Sequence, residues 1–244
     1  MIGIILSAGT GTRLRPLTES IPKTLLEIDN ITIIERMVKN LFDNGVDKFI
    51  FVVGHFKEKV IDFKEVLEDK YPITINIIEN NQYSTTNTSV STYLATKDLD
   101  DDFILINGDN IVDPKIITNL IKTNNTALVI DNSKDLNEES FKVIIDNNVV
   151  VDIGKGLDIS KSSGEFIGLS KVIKEDTLLF NEILKRLLDD DPQNYYDLTY
   201  KQLSTLTDFD FSFTNGLKWT EIDDFNDWKI AQKLVKDFDK ITFQ

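Results

Sequence analysis

Short apolar runs alternate along the chain with longer stretches in which apolar residues recur every three or four positions. Short β-branched runs are typical of buried strands, and the longer spacing is typical of amphipathic helices. The runs predict strands at 3–6, 48–53, 73–78, 103–106, 127–130, 143–145, 149–153, 166–172 and 209–213. The amphipathic stretches predict helices at 32–44, 57–70, 88–97, 114–122, 177–189, 197–205 and 226–237.

The order of these elements predicts an α/β protein. Strands and helices alternate through the first half, which predicts a mostly parallel sheet with helices on both faces. The run KVIIDNNVVVDI differs, because Asn147 and Asn148 tolerate positive φ and join two β-branched segments as a hairpin would. We find no repeat or linker and expect a single domain. This domain spans 1–244. Its expected parts are a first part at 1–131, a smaller lobe at 132–215, and a C-terminal strand and helix within 216–244.

Composition and charge exclude several classes of protein. The formal net charge of −14 would repel DNA and RNA, but it still allows a local basic cluster to bind a small anion. The absence of cysteine excludes disulfides, thiolate metal sites and a cysteine nucleophile. With His55 as the one histidine, a mechanism that needs two is excluded, and we assign it no role. The opening MIGIILSAG carries neither a basic leader nor a membrane-length apolar run, so we expect a cytoplasmic protein without a membrane partner.

The first predicted strand runs into a loop of small residues followed by cations. Residues 8–12 read Ala-Gly-Thr-Gly-Thr, and Arg13 and Lys23 come after them. Backbone N–H groups of such a loop can cradle phosphates, which arginine and lysine can then clamp. A dinucleotide fingerprint fails because Leu14 replaces its third glycine, and a Walker loop fails because Pro22 replaces its last one. The alternative is a solvated basic loop, which the glycine pattern and the Pro-Lys pair disfavour.

Two acidic clusters supply candidate metal ligands. Asp109 follows the fourth predicted strand, at the edge of the sheet where α/β proteins bind ligands; a simple turn is the alternative. In WTEIDDFNDW, Asp224 and Asp227 have the spacing of a helix cap. That assignment gives Glu221 and Asp223 no structural role. Carboxylates are the hard oxygen ligands that Mg²⁺ prefers.

The segment LSAGTGTRLRPLTESIPKTLLEI resembles the signature loop of nucleotidyltransferases that activate sugar phosphates and small phospho-alcohols. That signature reads Gly-x-Gly-x-Arg-(Leu/Met)-x-Pro-Leu-Thr, followed by Pro-Lys. The resemblance extends over essentially the whole chain and is nearest to the CTP:phosphocholine cytidylyltransferase family, which includes relatives acting on phosphonates and carries GEFIGL and WTEID segments. It implies a Rossmann-like three-layer α/β/α fold with a mostly parallel mixed central sheet, a nucleotide-binding part at 1–131 and an acceptor-binding lobe at 132–215.

The resemblance also implies a reaction. CMP is transferred from CTP to a small phosphate or phosphonate, whose ionised oxygen attacks the α-phosphorus in line without a general base, and pyrophosphate leaves. Arg13 and Lys23 are the implied catalytic cations. The implied cofactor is Mg²⁺, held by Asp109 and Asp223 with Glu221 as a supporting or alternative ligand.

Residues that contact the two substrates are likewise implied by the resemblance. For the nucleotide they are Leu6, Ala8, Gly9, Thr10, Gly11, Thr12, Arg13, Gln82, Asn87, Thr88, Ser89 and Asp109. For the acceptor they are Lys142, Lys155, Glu165, Tyr195 and Tyr196. Several of them have structural alternatives: 87–89 is also a helix N-cap sequence, Glu165 is equally consistent with an edge-strand carboxylate in solvent, and the tyrosine pair with core packing before a helix cap.

Two other functions stay open at this point. A sugar-1-phosphate nucleotidyltransferase using UTP or dTTP has the same chemistry. A non-catalytic nucleotide-binding regulatory subunit would be expected to have lost a metal ligand or the lysine, and Arg13, Lys23, Asp109 and Asp223 are all present. The sequence does not select the acceptor, and it is compatible with a homodimer.

Overall fold

The computed structural model describes residues 1–241, which form a central sheet between two layers of helices. The strands are β1 Ile2–Ser7, β2 Glu27–Ile28, β3 Ile31–Thr32, β4 Lys48–Val53, β5 Thr74–Glu79, β6 Phe103–Asn107, β7 Asn110–Val112, β8 Thr126–Asp131, β9 Lys142–Asp146, β10 Val149–Gly154, β11 Gly164–Val172, β12 Phe209–Phe213 and β13 Trp219–Glu221. The helices are α1 Ile33–Phe42, α2 Lys57–Lys70, α3 Thr88–Thr96, α4 Pro114–Ile121, α5 Lys174–Asp190, α6 Leu198–Leu206 and α7 Phe225–Ile241. The last three positions of the predicted C-terminal part, 242–244, lie outside the described residues.

The central sheet is mixed, with a parallel half built around β1. Strand β1 lies between β4 and β6, and β5 extends the parallel half beyond β4. Strand β11 then runs antiparallel between β6 and β8, and β12 pairs parallel with β8. In this register Leu6 lies opposite both Val52 and Asn107. The carboxyl ends of β1, β4 and β6 therefore share one edge, which brings the opening loop beside the turn that follows β6.

Strand β11 also joins β9 and β10 to this sheet. Its first residues pair with β9, and its later residues pair with β6. Between them the register shifts around Gly168, which has φ 69°; a Cβ there would lie 2.3 Å from the side-chain nitrogen of Asn107. The predicted hairpin β9–β10 is confirmed, with Asn147 and Asn148 at φ 48° and 63°. Glu165, near the start of β11, lines a cavity together with Arg13 of the opening loop.

Two apolar cores lie on opposite faces of the sheet. One is buried under α1, α2, α4 and α7, with Val38, Leu67 and Val235 fully buried. The other lies under α3, α5 and α6, and Phe180 and Tyr200 are fully buried there. Strand side chains alternate between the two faces, as the period of a strand requires. The three-layer α/β/α arrangement is thus confirmed.

Candidate active site

The opening loop folds back over the end of β1 and places Lys23 at the carboxyl edge of the sheet. Gly11 adopts φ 60°, and its carbonyl accepts a hydrogen bond of 2.7 Å from the Thr18 hydroxyl. The hydroxyls of Ser7 and Thr24 lie 2.6 Å apart, which ties the far end of the loop to its start. A side chain at Gly11 would be strained by its positive φ. The glycine and the two hydroxyl contacts therefore fix where Lys23 enters the site.

We expect Gly108→Ala to damage the fold at this edge. Its Cβ would lie 2.2 Å from the carbonyl oxygen of Leu6 and 2.8 Å from Cγ2 of Thr24, so the backbone would have to shift. Overpacking of this kind lowers the free energy of unfolding by about 1–3 kcal/mol. Gly9→Ala is the matched control, because none of the described atoms lies within 4 Å of a Cβ there and the expected change is below about 0.5 kcal/mol. Urea denaturation of both variants measures the difference, and equal stabilities would contradict the packing described for Gly108.

The two acidic clusters come together through a small sheet formed by β7 and β13. These strands pair antiparallel, and the Ile222 N–H donates to the carbonyl of Asp109 over 3.0 Å. Nζ of Lys23 lies 2.7 Å from Oδ2 of Asp109 and 3.5 Å from Oδ1 of Asp223. Arg13 contributes an Nη2 atom 2.8 Å from the same Asp223 oxygen. Four of the predicted side chains, separated by up to 210 positions in the sequence, thus form one charged cluster.

The charges in this cluster perturb one another. Burial alone would lower the pKa of Lys23, but the neighbouring carboxylates of Asp109 and Asp223 outweigh it and raise that pKa. Burial raises the pKa of Glu221, and the negative charges of Asp109 and Asp223 raise it further. Three carboxyl groups therefore share one neighbourhood with the two cations.

The cluster fits a magnesium ion that binds together with substrate phosphates. Oδ1 of Asp109 is buried and has no hydrogen-bond partner among the described residues, so a ligand for a hard cation is available. Within residues 1–241 no group of three or more His, Cys, Asp or Glu side chains is arranged to hold a metal ion. Mg²⁺ keeps several waters and takes one or two protein carboxylates plus phosphate oxygens, so the pair Asp109 and Asp223 meets its requirement.

A first cavity of about 240 Å³ opens between the opening loop and α3. The predicted nucleotide contacts and catalytic lysine that line it are Leu6, Ala8, Gly9, Gly11, Lys23, Asn87, Thr88 and Asp109. Asn80 and Tyr83 also line it, and Asn80 was missed by the sequence analysis. Asn80 is held in place by hydrogen bonds of 2.9 Å to the Ser91 hydroxyl and from the Gln82 backbone N–H.

Five predicted nucleotide contacts do not line this cavity: Thr10, Thr12, Arg13, Gln82 and Ser89. Ser89 is fully buried, and its hydroxyl donates to the carbonyl of Asn194. Asn87 has the structural role that was the alternative, because its side chain accepts a hydrogen bond of 2.8 Å from the N–H of Thr88 at the start of α3. Ser89 therefore anchors the α5–α6 connection rather than facing the cavity.

A second cavity of about 540 Å³ lies on the side of the smaller lobe. Thr88, Asn107 and Asp109 line both cavities, so the two meet at the charged cluster. The other predicted residues that line the second cavity are Arg13, Lys155, Glu165, Tyr195, Tyr196, Glu221 and Asp223. This arrangement allows two ligands to approach each other at Asp109.

Lys142 lines neither cavity, which corrects its predicted place in the acceptor site. It is 1% exposed, and its ammonium donates to the backbone carbonyls of Glu138, Ser140 and Lys155. These three acceptors hold the loop that leads into β9 against the end of β10. Lys155 itself does reach the second cavity, where its ammonium pairs with Glu139 over 3.1 Å.

Glu165 and the tyrosine pair lie in the wall of the second cavity. Burial raises the pKa of Glu165, although a hydrogen bond with the Ser140 side chain opposes the shift, so this is not a solvated edge carboxylate. Tyr196 is 1% exposed, and its hydroxyl donates to Oδ1 of Asn107 over 3.2 Å. The ring of Tyr195 packs edge-to-face on Phe141, with centroids 5.6 Å apart.

Asp197 is a buried acid in the same wall, and we expect it to make stability depend on pH. Burial raises its pKa from the ordinary 3.8 to about 7, and its Oδ1 has no hydrogen-bond partner within the described part of the chain. The folded protein must bury a charge once the pH exceeds this pKa, so stability present at acidic pH is lost as the pH rises from 4 to 8. The upper limit is about 4 kcal/mol for this shift. Urea denaturation at both pH values should show a loss in the wild type that Asp197→Asn lacks, and parallel pH profiles would contradict the assignment.

Comparison with solved structures identifies the class of fold. An inositol-1-phosphate CTP transferase from T. maritima superimposes with a TM-score of 0.79 at 22% identity, covering 97% of this chain and 96% of that one. The CTP:phosphocholine cytidylyltransferase from Streptococcus pneumoniae superimposes with a TM-score of 0.76 at 24% identity, covering 96% and 99%. The protein therefore has the Rossmann-like three-layer α/β/α fold of nucleotidyltransferases.

The sequence profile of the Nucleotidyl transferase family matches residues 2–150, and the chain belongs to this family. Choline-phosphate cytidylyltransferase of Streptococcus pneumoniae (strain ATCC BAA-255 / R6) is 33% identical over 63% of each chain. Bifunctional protein GlmU of Methanococcus maripaludis (strain C7 / ATCC BAA-1331) is 36% identical over 62% of this chain and 34% of its own. The 2-aminoethylphosphonate cytidylyltransferase of Lancefieldella rimae is 37% identical over 38% and 35%. The matched segments span less than two thirds of these curated relatives.

No helix within residues 1–241 is both long enough and apolar enough to cross a bilayer.

Proposed function

We propose that the protein is a magnesium-dependent cytidylyltransferase, which transfers CMP from CTP to a small phosphate or phosphonate and releases pyrophosphate. One observation carries this proposal: a smaller and a larger cavity meet at Asp109, beside Lys23 and Asp223. A transferase of this kind needs two substrates to approach each other at a cluster that can neutralise phosphate charge.

The nucleotide is assigned to the first cavity. The small residues Ala8, Gly9 and Gly11 line it, so phosphates can approach their backbone N–H groups closely. When the nucleotide binds, Lys23 exchanges its carboxylate partners for phosphate oxygens. Arg13 can likewise exchange its contact with Asp223 for one with a phosphate oxygen. Magnesium, when held by Asp109 and Asp223, supplies further neutralisation of the triphosphate.

The acceptor is assigned to the second cavity. Its anionic oxygen forms a bond to the α-phosphorus, the bond from that phosphorus to the bridging oxygen breaks, and pyrophosphate leaves with the electron pair. An acceptor oxygen that is already ionised gives up no proton, so the protein needs no general base. The residues act by holding both substrates in line and by stabilising the charge that develops.

The wall of the second cavity favours a short acceptor with a cationic head group. The aromatic rings of Phe141 and Tyr195 line it together with the carboxyl groups of Glu165 and Asp197. Rings and carboxylates attract ammonium groups. Choline-like and aminoalkyl acceptors are consistent with this lining, and the two cytidylyltransferase relatives support the choice of CTP.

A sugar-1-phosphate nucleotidyltransferase that uses UTP or dTTP is the second candidate. A match to the UTP–glucose-1-phosphate uridylyltransferase AglF of Haloferax volcanii, 37% identical over 46% of this chain and 44% of that one, favours it, and a cavity of about 540 Å³ has room for a monosaccharide phosphate. A non-catalytic regulatory subunit is less favoured because the cluster of Arg13, Lys23, Asp109 and Asp223 is complete.

A screen for pyrophosphate release distinguishes these functions. CTP, UTP, dTTP and ATP are crossed with phosphocholine, phosphoethanolamine, 2-aminoethylphosphonate, a polyol phosphate and glucose 1-phosphate, with Mg²⁺ or with EDTA. We expect release with CTP and one of the amine-containing acceptors, and none with EDTA. Release only with UTP or dTTP and glucose 1-phosphate would replace the proposal with the second candidate. No release from any pair would favour the regulatory subunit.

A further inference from the structure

Lys134 is a cation of the second cavity that no motif in the sequence marked. It follows β8 in a loop of the smaller lobe and lines the cavity together with Glu165 and Glu221. Its ammonium donates a hydrogen bond of 2.9 Å to the carbonyl of Trp219 and lies 3.6 Å from the centre of the Trp219 ring. Although Lys134 is an exposed residue, these two contacts hold its ammonium against a buried tryptophan.

Trp219, on which Lys134 packs, is itself held in place by a hydrogen bond. Trp219 is 4% exposed, and its indole N–H donates to the carboxylate of Asp131 at the end of β8. Asp131 also accepts hydrogen bonds of 2.8 Å from the Thr214 hydroxyl and from the Ser133 N–H. The Asp131 carboxylate thus holds the Trp219 indole, and Trp219 in turn holds the Lys134 ammonium at the cavity.

An anionic acceptor needs such a cation, because acids dominate the cavity. Its lining contains Arg13, Lys134 and Lys155 as the basic residues among those described, together with a larger number of Asp and Glu side chains. Arg13 is engaged with Asp223, and the half-exposed Lys155 is paired with Glu139. Lys134, by contrast, is held by a carbonyl and a ring, and carboxylates act on it only from a distance. It keeps ammonium hydrogens available for an incoming anion.

We infer that Lys134 binds the phosphate or phosphonate group of the acceptor and orients it toward the nucleotide. The inference rests on the proposed transfer to such an acceptor. In the second cavity Lys134 takes the role that the sequence had suggested for Lys142, whose ammonium is occupied by three carbonyls. The nucleotide, which lies in the first cavity, should not depend on Lys134.

The test uses methylphosphonate as a probe for the group that all candidate acceptors share. Its binding is followed by ³¹P NMR in the full-length protein, with α,β-methylene-CTP and Mg²⁺ filling the first cavity. We expect Lys134→Met to raise the Kd of the probe at least about tenfold, as for loss of one charge-assisted hydrogen bond. Lys134→Arg keeps the charge and can also pack on the Trp219 ring, so it should bind the probe more tightly than Lys134→Met.

Lys201→Met is the matched control, since Lys201 pairs with Asp152 over 3.0 Å outside both cavities, and it should bind the probe like the wild type. A purely structural role for Lys134 would change the melting temperature and the affinity for the nucleotide analogue together with that for the probe. Wild-type affinity for the probe in Lys134→Met, equal losses for probe and analogue, or no saturable probe binding in the wild type would each overturn the inference.

Failure of the proposed function is visible separately. The analogue is titrated alone into every variant, and the probe is also titrated into nucleotide-free protein. If CTP is not recognised or pyrophosphate is not released, but the probe still depends on Lys134, the anion site stands and the proposed reaction does not.

Discussion

Lys23→Met is expected to lower turnover at least about hundredfold, because the variant loses the cation of the first cavity that contacts Asp109, where the two cavities meet. The ammonium of Lys23 is 2.7 Å from Asp109 and is largely buried, so solvent offers no substitute for its charge. A lysine or arginine at developing charge in a site that excludes water is worth about 2–4 kcal/mol of barrier. We expect most of the loss in kcat, since this stabilisation is greatest in the transition state.

The measurement is steady-state pyrophosphate release with the substrate pair found in the screen. Lys201→Met again serves as the matched control, because it removes a lysine from an ion pair that touches neither cavity. Thermal unfolding of both variants shows whether the fold is kept. A folded Lys23→Met protein with near-normal kcat would remove Lys23 from the catalytic machinery.

Asp109→Asn is expected to have an effect of similar size for a different reason. The substitution removes the carboxylate whose Oδ1 is buried without a hydrogen-bond partner among the described residues, and with it a ligand for the metal. Asp223→Asn should also lose at least about a hundredfold in turnover. If both carboxylates hold the same ion, the double variant should lose much less than the product of the two single losses.

Metal binding gives a readout that does not depend on turnover. Mn²⁺ can replace Mg²⁺ in oxygen sites, and its free concentration can be followed by electron paramagnetic resonance in the presence of nucleotide. We expect weaker Mn²⁺ binding in Asp109→Asn and in Asp223→Asn. Asp152→Asn, the partner side of the control ion pair, should bind Mn²⁺ like the wild type. Unchanged Mn²⁺ affinity in both site variants would contradict the assigned ligands.

The long periodic elements of the fold could be predicted from the sequence. Strands β4 and β12 and helix α2 begin and end where the pattern placed them. Strand β7 was missed, and β13 was predicted without bounds, as the C-terminal strand within 216–244. Each has three residues and, among the described strands, pairs with the other, so neither contains enough alternation to be located from the pattern alone. Yet these two short strands bring the acidic clusters together.

Those parts of the candidate site that lie in recognisable motifs could be predicted from the sequence. The opening loop and the two acidic clusters were found through their resemblance to a family, and the fold supplies the contacts between segments that the sequence alone could not show. Lys142 was misplaced because its sequence neighbours do not reveal that three carbonyls surround its ammonium. Lys134 was missed because its partner, Trp219, lies 85 positions later in the chain. The division of the domain into a nucleotide part and an acceptor lobe stays a prediction.

The most direct test is a crystal structure of the protein with α,β-methylene-CTP and Mn²⁺, in which anomalous scattering locates the metal. We expect the anomalous peak between the carboxylates of Asp109 and Asp223, with the triphosphate against residues 8–11 and Lys23 in contact with a phosphate oxygen. A metal bound away from these two carboxylates, or a nucleotide lying outside the first cavity, would contradict the proposed site and the reaction built on it.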